Sequence, residues 1–144
     1  MQVRFIAPGE THVLRQQVLR PGQSLAQMEW PKDHAPGSFH LGMEANGQFC
    51  AIASFIPEGN PLVGGLMPLR LRGMATAPAH QGAGLGSALL RFGLEQARRQ
   101  GNDLVWCHAR ERAVPFYARL GFLAQGPLFP VAGIGIHQLM HLQL

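Results

Sequence analysis

A glycine-rich segment in the second half of the chain, residues 77–90, constrains its fold more than any other feature. Gly82, Gly84 and Gly86 alternate over five positions, and an amphipathic helix starts among them. Because glycine carries no Cβ, this pattern predicts bare backbone N–H groups at the N-terminus of a helix. Such a helix end binds anions, most often a phosphate group. We therefore expect a phosphate-bearing ligand beside this turn.

Two common phosphate-binding loops do not fit the segment. A Walker A loop requires a Lys before a Ser or Thr, and Gly86-Ser87 contains no Lys. A dinucleotide fingerprint requires a third glycine where Ser87 stands, and it belongs in the first strand–helix unit of a fold. A nicotinamide-nucleotide-binding domain is therefore a weak alternative. A plain strand-to-helix turn without a ligand is another.

Composition narrows the class of protein. A hydrophobic content of 47% over 144 residues predicts one globular domain, residues 1–144. The net charge of +4 comes from eleven Arg and one Lys against eight carboxylates, and no basic run indicates nucleic-acid binding. No apolar run could span a membrane, and the N-terminus lacks the apolar region of a signal peptide. With Cys50 and Cys107 in apolar runs, we expect free thiols and a cytoplasmic protein.

Hydrophobic periodicity predicts a mixed α/β sheet with helices on both faces. Asn46-Gly47 between two apolar runs indicates a β-hairpin. The long segment 21–37, which contains Met28 and Trp30, is either a lid over a binding site or a loose connector. Strands are predicted near residues 3–7, 38–45, 48–56, 69–77, 103–109, 122–124 and 135–144, and helices near 11–19, from the glycine turn to 100, and 111–120.

The strand before the glycine turn alternates in a way that predicts one buried face. Arg70 and Arg72 share the other face, where they meet either an acidic ligand or solvent. By strict alternation, the core face holds Leu69, Leu71, Gly73 and Ala75, and the opposite face holds Arg70, Arg72, Met74 and Thr76. In the helix after the turn, the apolar stripe that faces the sheet consists of Leu85, Ala88, Leu89 and Phe92.

Two separated motifs resemble one known family. Residues 81–86, Gln-Gly-Ala-Gly-Leu-Gly, resemble the Q/R-x-x-G-x-G/A motif of the GNAT superfamily of N-acetyltransferases. Residues 113–122 resemble the A-x-x-F-Y-x-x-x-G-F segment around the family's fourth helix, and residues 71–76 look like its fourth strand. The resemblance covers residues 69–122. It implies a mostly antiparallel sheet of six to seven strands that splays between the fourth and fifth strands.

The resemblance also implies an acetyl-CoA site. The pyrophosphate would lie over the N–H groups of the glycine turn, and the pantetheine arm would pair with the fourth strand. One departure concerns Arg110, which stands where the family often has an Asn that contacts the cofactor. The residues expected to bind the cofactor are Met74, Ala75, Thr76, Gln81, Gly82, Ala83, Gly84, Leu85, Gly86, Ser87, Arg110 and Tyr117.

Three residues are candidates for catalysis of amine acetylation. The resemblance gives Tyr117 the role of general acid toward the leaving thiolate, although a core tyrosine would also fit the position. An N–H near Met74 would face the thioester carbonyl. His108 is the candidate base, and its rivals are Glu29, Glu44, Glu111 and ordered water.

Several properties stay open at this point. A non-catalytic acyl-CoA-binding or regulatory module of the same fold is the alternative to an enzyme. The acceptor is a small-molecule amine, a peptide N-terminus or a lysine side chain, because variable loops build that side. His137 and His141 are about 13 Å apart along a strand, so we expect no metal. The family often forms homodimers.

Overall fold

The strands follow the hydrophobic and turn signals of the sequence. The computed structural model describes residues 1–144. A 3-10 turn over Pro8–Thr11 precedes the short first helix, and a π turn over Arg15–Leu19 follows it. The strands are β1 Arg4–Ile6, β2 Phe39–Ala45, β3 Gln48–Pro57, β4 Pro68–Thr76, β5 Leu104–Arg110, β6 Leu123–Val131 and β7 Gly135–Gln143, and the helices are α1 His12–Leu14, α2 Leu85–Arg99 and α3 Val114–Arg119.

All seven strands form one sheet in the order β1-β2-β3-β4-β5-β7-β6. Every neighbouring pair is antiparallel except β4 and β5, which are parallel. Asn46 and Gly47 both have positive φ, of 53° and 74°, as the turn between β2 and β3 requires. The expected mixed, mostly antiparallel sheet is confirmed.

Helices cover both faces of the sheet. The main core lies between the sheet and the helices α2 and α3, where Leu89, Leu90 and Tyr117 are buried. On the opposite face, Leu14 of α1 packs with Ile6 and with residues of β3 and β4. The glycine turn therefore lies on the same side of the sheet as the main core, since α2 begins there. The N-terminal helical segment covers the opposite face.

Two details differ from the sequence prediction. Phe92 does not face the sheet as its periodicity predicts; it is 38% exposed and contacts the edge of Phe5. Gly93 occupies the buried position instead, because α2 lies close to the sheet there.

The sixth strand is longer than predicted and runs to Val131. Its two prolines do not end the strand, because β6 is at the edge of the sheet, where a missing backbone N–H does little harm.

The contact between α2 and Phe55 predicts a stability effect. A Cβ on Gly93 would overlap the Phe55 ring, which is fully buried and stacked on Phe39 at 4.8 Å. We expect Gly93→Ala to lower the free energy of unfolding by about 2 kcal/mol in urea titration, despite the higher helix propensity of alanine. Adding Phe55→Leu should recover part of that loss, because the smaller side chain removes the overlap. Wild-type stability of the Gly93→Ala protein would contradict this packing.

Candidate active site

The glycine turn presents free backbone donors. Gly82 and Gly84 both have φ of +80°, and Gly84 is the N-cap of α2. The N–H groups of residues 82–87 donate to no backbone carbonyl. A Cβ on Gly82 or Gly84 would meet no atom within 4 Å, so the space above the turn is open. The Gln81 side chain donates to the Thr76 carbonyl at 3.1 Å and ties the turn to the end of β4.

A cavity of about 810 Å³ lies over this turn, and we call it the turn cavity. Residues of β4, the turn and α3 line it, and three of its lining side chains carry basic groups: His80, Arg91 and Arg119. These basic groups and the positive end of α2 favour an anion. Ten of the twelve residues predicted to bind the cofactor line the turn cavity: Met74, Ala75, Thr76, Gln81, Gly82, Gly84, Leu85, Gly86, Ser87 and Tyr117.

The other two predicted residues lie elsewhere. Ala83 belongs to the turn but does not line the cavity. Arg110 lies on the far side of β5 and donates to the Leu19 carbonyl at 3.3 Å. This position brings Arg110 to a neighbouring cavity rather than to the glycine turn.

A β-bulge in β4 changes the direction of its side chains. Arg72 pairs with Ser54 and Ala75 with Ile52, so Gly73 and Met74 together oppose a single residue of β3. Gly73 has φ of +65°, which glycine adopts without strain. Strict alternation predicts Met74 on the face of Arg70 and Arg72, and this prediction is wrong. Past the bulge, Met74 packs into the main core and Ala75 turns to the opposite face.

The sheet opens beyond the start of β4 and β5. The two strands pair only from Pro68 with Leu104 to Arg70 with Trp106, so the following residues of β4 have no partner on that side. A second cavity of about 810 Å³ occupies this opening and extends to the face of the sheet that carries Arg70 and Arg72; we call it the far-face cavity. The two cavities share Met74, Ala75, Thr76 and Tyr117 among their lining residues.

Tyr117 lies where the two cavities meet. Its Oη is 3.5 Å from the Met74 sulfur, and its ring packs edge-on against Phe116. Burial, with a smaller effect from Cys107, raises the pKa of the Tyr117 phenol well above its usual value. The hydroxyl therefore keeps its proton across the physiological pH range. It can donate that proton to an acceptor held in the opening of the sheet.

His108 lies on the opposite face of β5 from the main core and lines the far-face cavity. Its ring stands edge-on to Trp106 at 5.1 Å and to Phe129 at 5.0 Å. Burial and the charge of Arg70 lower the pKa of His108. A neutral imidazole at neutral pH can accept a proton. The three rival bases line neither cavity: Glu29 pairs with His34, Glu44 pairs with Arg4, and Glu111 is exposed.

The segment 21–37 forms part of a wall rather than a loose connector. Met28 is fully buried within it, and the Trp30 indole lines the far-face cavity. The guanidinium carbons of Arg15 and Arg72 lie 3.9 Å and 4.3 Å from the centre of that indole. Arg20 lies farther out, at 5.5 Å. The sequence pointed to Trp30 but gave no signal for these arginine partners, because they come from other parts of the chain.

The sheet opens beside the glycine turn as the sequence resemblance implies, and the comparisons with known proteins define the class of protein as an acyltransferase. The sequence matches the model of the Acetyltransferase (GNAT) family over residues 10–122. The chain belongs to this family. YitI of Bacillus subtilis (strain 168), described as an uncharacterized N-acetyltransferase, is 38% identical over 141 residues, which are 98% of this chain and 95% of that protein.

Two solved structures share the fold. Escherichia coli ElaA superposes with a TM-score of 0.77 at 15% identity, covering 97% of each chain. An aminoglycoside 6'-N-acetyltransferase complexed with coenzyme A superposes with a TM-score of 0.78 at 11% identity, covering 99% of this chain and 97% of that one. None of the helices combines the length and apolar character needed to cross a membrane.

Proposed function

We propose that the protein is an acetyl-CoA-dependent N-acetyltransferase that moves an acetyl group to a primary amine by direct attack in a ternary complex. The observation that carries this proposal is the meeting of two cavities at Met74 and Tyr117. One cavity carries the anion-binding turn, and the other reaches the opposite face of the sheet. The fold similarity to an acetyltransferase complexed with coenzyme A supports the choice of donor.

The free N–H groups of the turn would hold the pyrophosphate of acetyl-CoA. The turn fits this role because its donors are unpaired and no Cβ stands above Gly82 or Gly84. The pantetheine arm would follow the edge of β4 at Met74, Ala75 and Thr76, where β5 no longer pairs with the strand and a strand-like ligand can take its place. The Thr76 carbonyl already accepts a hydrogen bond from Gln81, so the backbone of Met74 and Ala75 would carry most of this pairing. This arrangement would place the thioester in the opening between β4 and β5.

The residues at the opening supply the steps of an acyl transfer. His108 would take a proton from the incoming ammonium, directly or through water, from the far-face cavity. The amine nitrogen then bonds to the thioester carbon, and the Met74 N–H would stabilise the oxyanion by roughly 3 kcal/mol. When the C–S bond breaks, Tyr117 would give its proton to the departing thiolate. The nitrogen of the new amide sheds its remaining extra proton, which would return to Tyr117 through water. The two proton-transfer groups lie on opposite faces of the sheet, as amine and thioester would approach from opposite sides.

The glycine turn provides the test of the donor site. We expect Gly84→Ala to raise the KM for acetyl-CoA by about tenfold, because a methyl group would stand in the anion-binding space. Gly101→Ala is the matched control: Gly101 lies at the other end of α2 with φ of +85° and equally open space. Both variants share the cost of a left-handed alanine, so only the ligand effect separates them. The measurement is free thiol released from acetyl-CoA with a panel of amines.

Two results would contradict the proposal. Equal KM values for the two variants would show that the turn does not hold the donor. Tight binding of acetyl-CoA by calorimetry without thiol release from any amine would show a binding module instead of an enzyme.

A further inference from the structure

The far-face cavity is lined by basic side chains and by no acidic ones. Among its 24 lining residues there is no Asp or Glu. Cations are common in protein cavities, but they are ordinarily accompanied by carboxylates that compensate them. The basic residues that line this cavity are Arg20, Arg70, Arg72, Arg110, Arg112, His108 and His137.

Most of these arginines already have partners. Arg70 donates to Glu58 at 2.9 Å, and the same carboxylate also faces Lys32 at 3.4 Å. Arg20 and Arg110 both donate to the Leu19 carbonyl, at 2.9 Å and 3.3 Å. Arg112 is exposed to solvent.

Arg72 is the exception. Its guanidinium makes no hydrogen bond and no ion pair, and its Nε is buried without an acceptor. The side chain is held in place by the Trp30 indole, over which its Cζ lies at 4.3 Å. Burial, followed by the charges of Arg70 and Arg15, lowers the pKa of Arg72 to about 10. The carboxylates of Asp33 and Glu58 act on it only at longer range and raise its pKa by a smaller amount. Arg72 remains a cation at neutral pH, so the protein holds a half-buried charge with no carboxylate in direct contact.

The acetyl-CoA phosphates do not supply that counter-ion. Their proposed site is the turn cavity, which has its own basic residues, Arg91 and Arg119. Arg72 lines only the far-face cavity. An anion that pairs with the Arg72 guanidinium therefore has to belong to the acceptor.

We propose that the acceptor is a small amine that also carries an anionic group, a carboxylate or a phosphate, and that Arg72 binds this group. The proposal rests on the proposed acetyltransferase function and names its substrate class. The planar guanidinium fork matches both oxyanions in bidentate geometry. Arg72 and Met74 line the same cavity two residues apart, so one small molecule can reach the guanidinium and the thioester position together. The cationic surroundings also favour the neutral amine over its ammonium form, and they disfavour polyamines.

The test compares matched amines that differ in the anionic group. β-Alanine is paired with β-alaninamide, and O-phosphoethanolamine with ethanolamine, so the two arms separate carboxylate from phosphate. With the wild-type protein, we expect at least one anionic member to exceed its partner by about tenfold or more in kcat/KM. Arg72→Met, which keeps the apolar stem, should bring the ratio of kcat/KM between the two members of a pair close to one, mainly through a loss for the anionic member. Arg99→Met, an exposed arginine at the end of α2, should preserve the preference.

Arg72→Lys keeps the charge and loses the fork. We expect it to retain part of the preference, mainly through a higher KM for the anionic amine. This variant also serves if the methionine variant does not fold. A purely structural role of Arg72 would change stability without changing the ratio between matched amines.

Binding separates this proposal from the function on which it rests. Calorimetry of the same four compounds with the CoA-loaded protein measures acceptor binding without turnover. An anionic preference that depends on Arg72, without thiol release from any amine, would support the anion site and overturn the acetyltransferase. Acetylation of the amines without an anionic group as fast as their anionic partners, with the same ratio in Arg72→Met, would overturn the anion site and leave the acetyltransferase standing.

Discussion

Asp33→Asn is expected to lower the free energy of unfolding by about 3–5 kcal/mol. Asp33 pairs with Arg15, and the side chains of both residues have no exposed surface. Removing the carboxylate charge leaves a guanidinium in the interior without its counter-ion. Urea titration of the purified protein measures the loss.

The geometry around Arg15 explains the size of this effect. Its two terminal nitrogens donate to the Asp33 carboxylate at 2.6 Å and 3.0 Å. They also donate to the Met28 carbonyl at 2.8 Å and to Ser54 Oγ at 2.9 Å. Asp33 Oδ2 further accepts the Trp30 N–H at 2.9 Å. The pair therefore fixes segment 21–37 against β3, and it positions the indole that holds Arg72.

An exposed ion pair gives the control. Glu95 faces Arg99 at 3.5 Å across one turn of α2, and both side chains are more than half exposed. We expect Glu95→Gln to cost no more than about 0.5 kcal/mol, because solvent screens such pairs. Equal losses in the two variants would show that burial does not make the Asp33 pair special.

Acid should reduce the difference between wild type and Asp33→Asn. Burial by itself would raise the pKa of Asp33, but hydrogen bonds from Arg15 and the Trp30 backbone outweigh it and lower the pKa. The carboxylate therefore stabilises the fold above its unfolded pKa of about 3.9. That contribution is lost as the pH falls from there through the folded pKa. The gap between the two proteins should narrow below about pH 4.

The order of the elements could be predicted because its signals are local. Asn46-Gly47 marks the hairpin between β2 and β3, and the glycines at 82–86 mark the start of α2. Both signals depend on backbone preferences of adjacent residues. The length of β6 could not be read in the same way. Its continuation to Val131 depends on pairing with β7, which compensates for two prolines in its sequence.

The site was predictable in part for the same reason. The turn residues and Tyr117 came from two local motifs, and the structure brings them to one cavity. The direction of Met74 was mispredicted because the bulge at Gly73 depends on the register between β3 and β4. The partners of Trp30 were missed because Arg15 and Arg72 reach it from distant parts of the chain.

Tyr117→Phe is expected to lower kcat by about a hundredfold or more while the KM for acetyl-CoA changes little. The substitution removes one oxygen and keeps the ring, which packs against Phe116 and Phe122 at 5.1 Å and 5.5 Å between ring centres. Without a proton donor, the thiolate would have to leave unprotonated from a site shielded from solvent. Steady-state thiol release against acetyl-CoA and amine concentration gives both constants.

Thr11→Val is the matched control for loss of a buried hydroxyl. Thr11 is fully buried, donates to the Pro8 carbonyl at 2.6 Å and lines neither cavity. We expect this variant to lose stability but to keep kcat, so a fall in kcat confined to Tyr117→Phe reports on chemistry rather than folding.

The pH profile makes the assignment of Tyr117 more specific. Because burial raises the pKa of the phenol well above its usual value, Tyr117 stays protonated at any pH at which the protein is assayed, and wild-type kcat should show no basic limb from this group. The acidic limb should fall below about pH 6.5, since burial and Arg70 lower the pKa of His108. In Tyr117→Phe the acidic limb should persist at the reduced rate, because a different residue accepts the amine proton. A Tyr117→Phe protein with wild-type kcat at every pH would remove Tyr117 from the mechanism and leave proton donation to water.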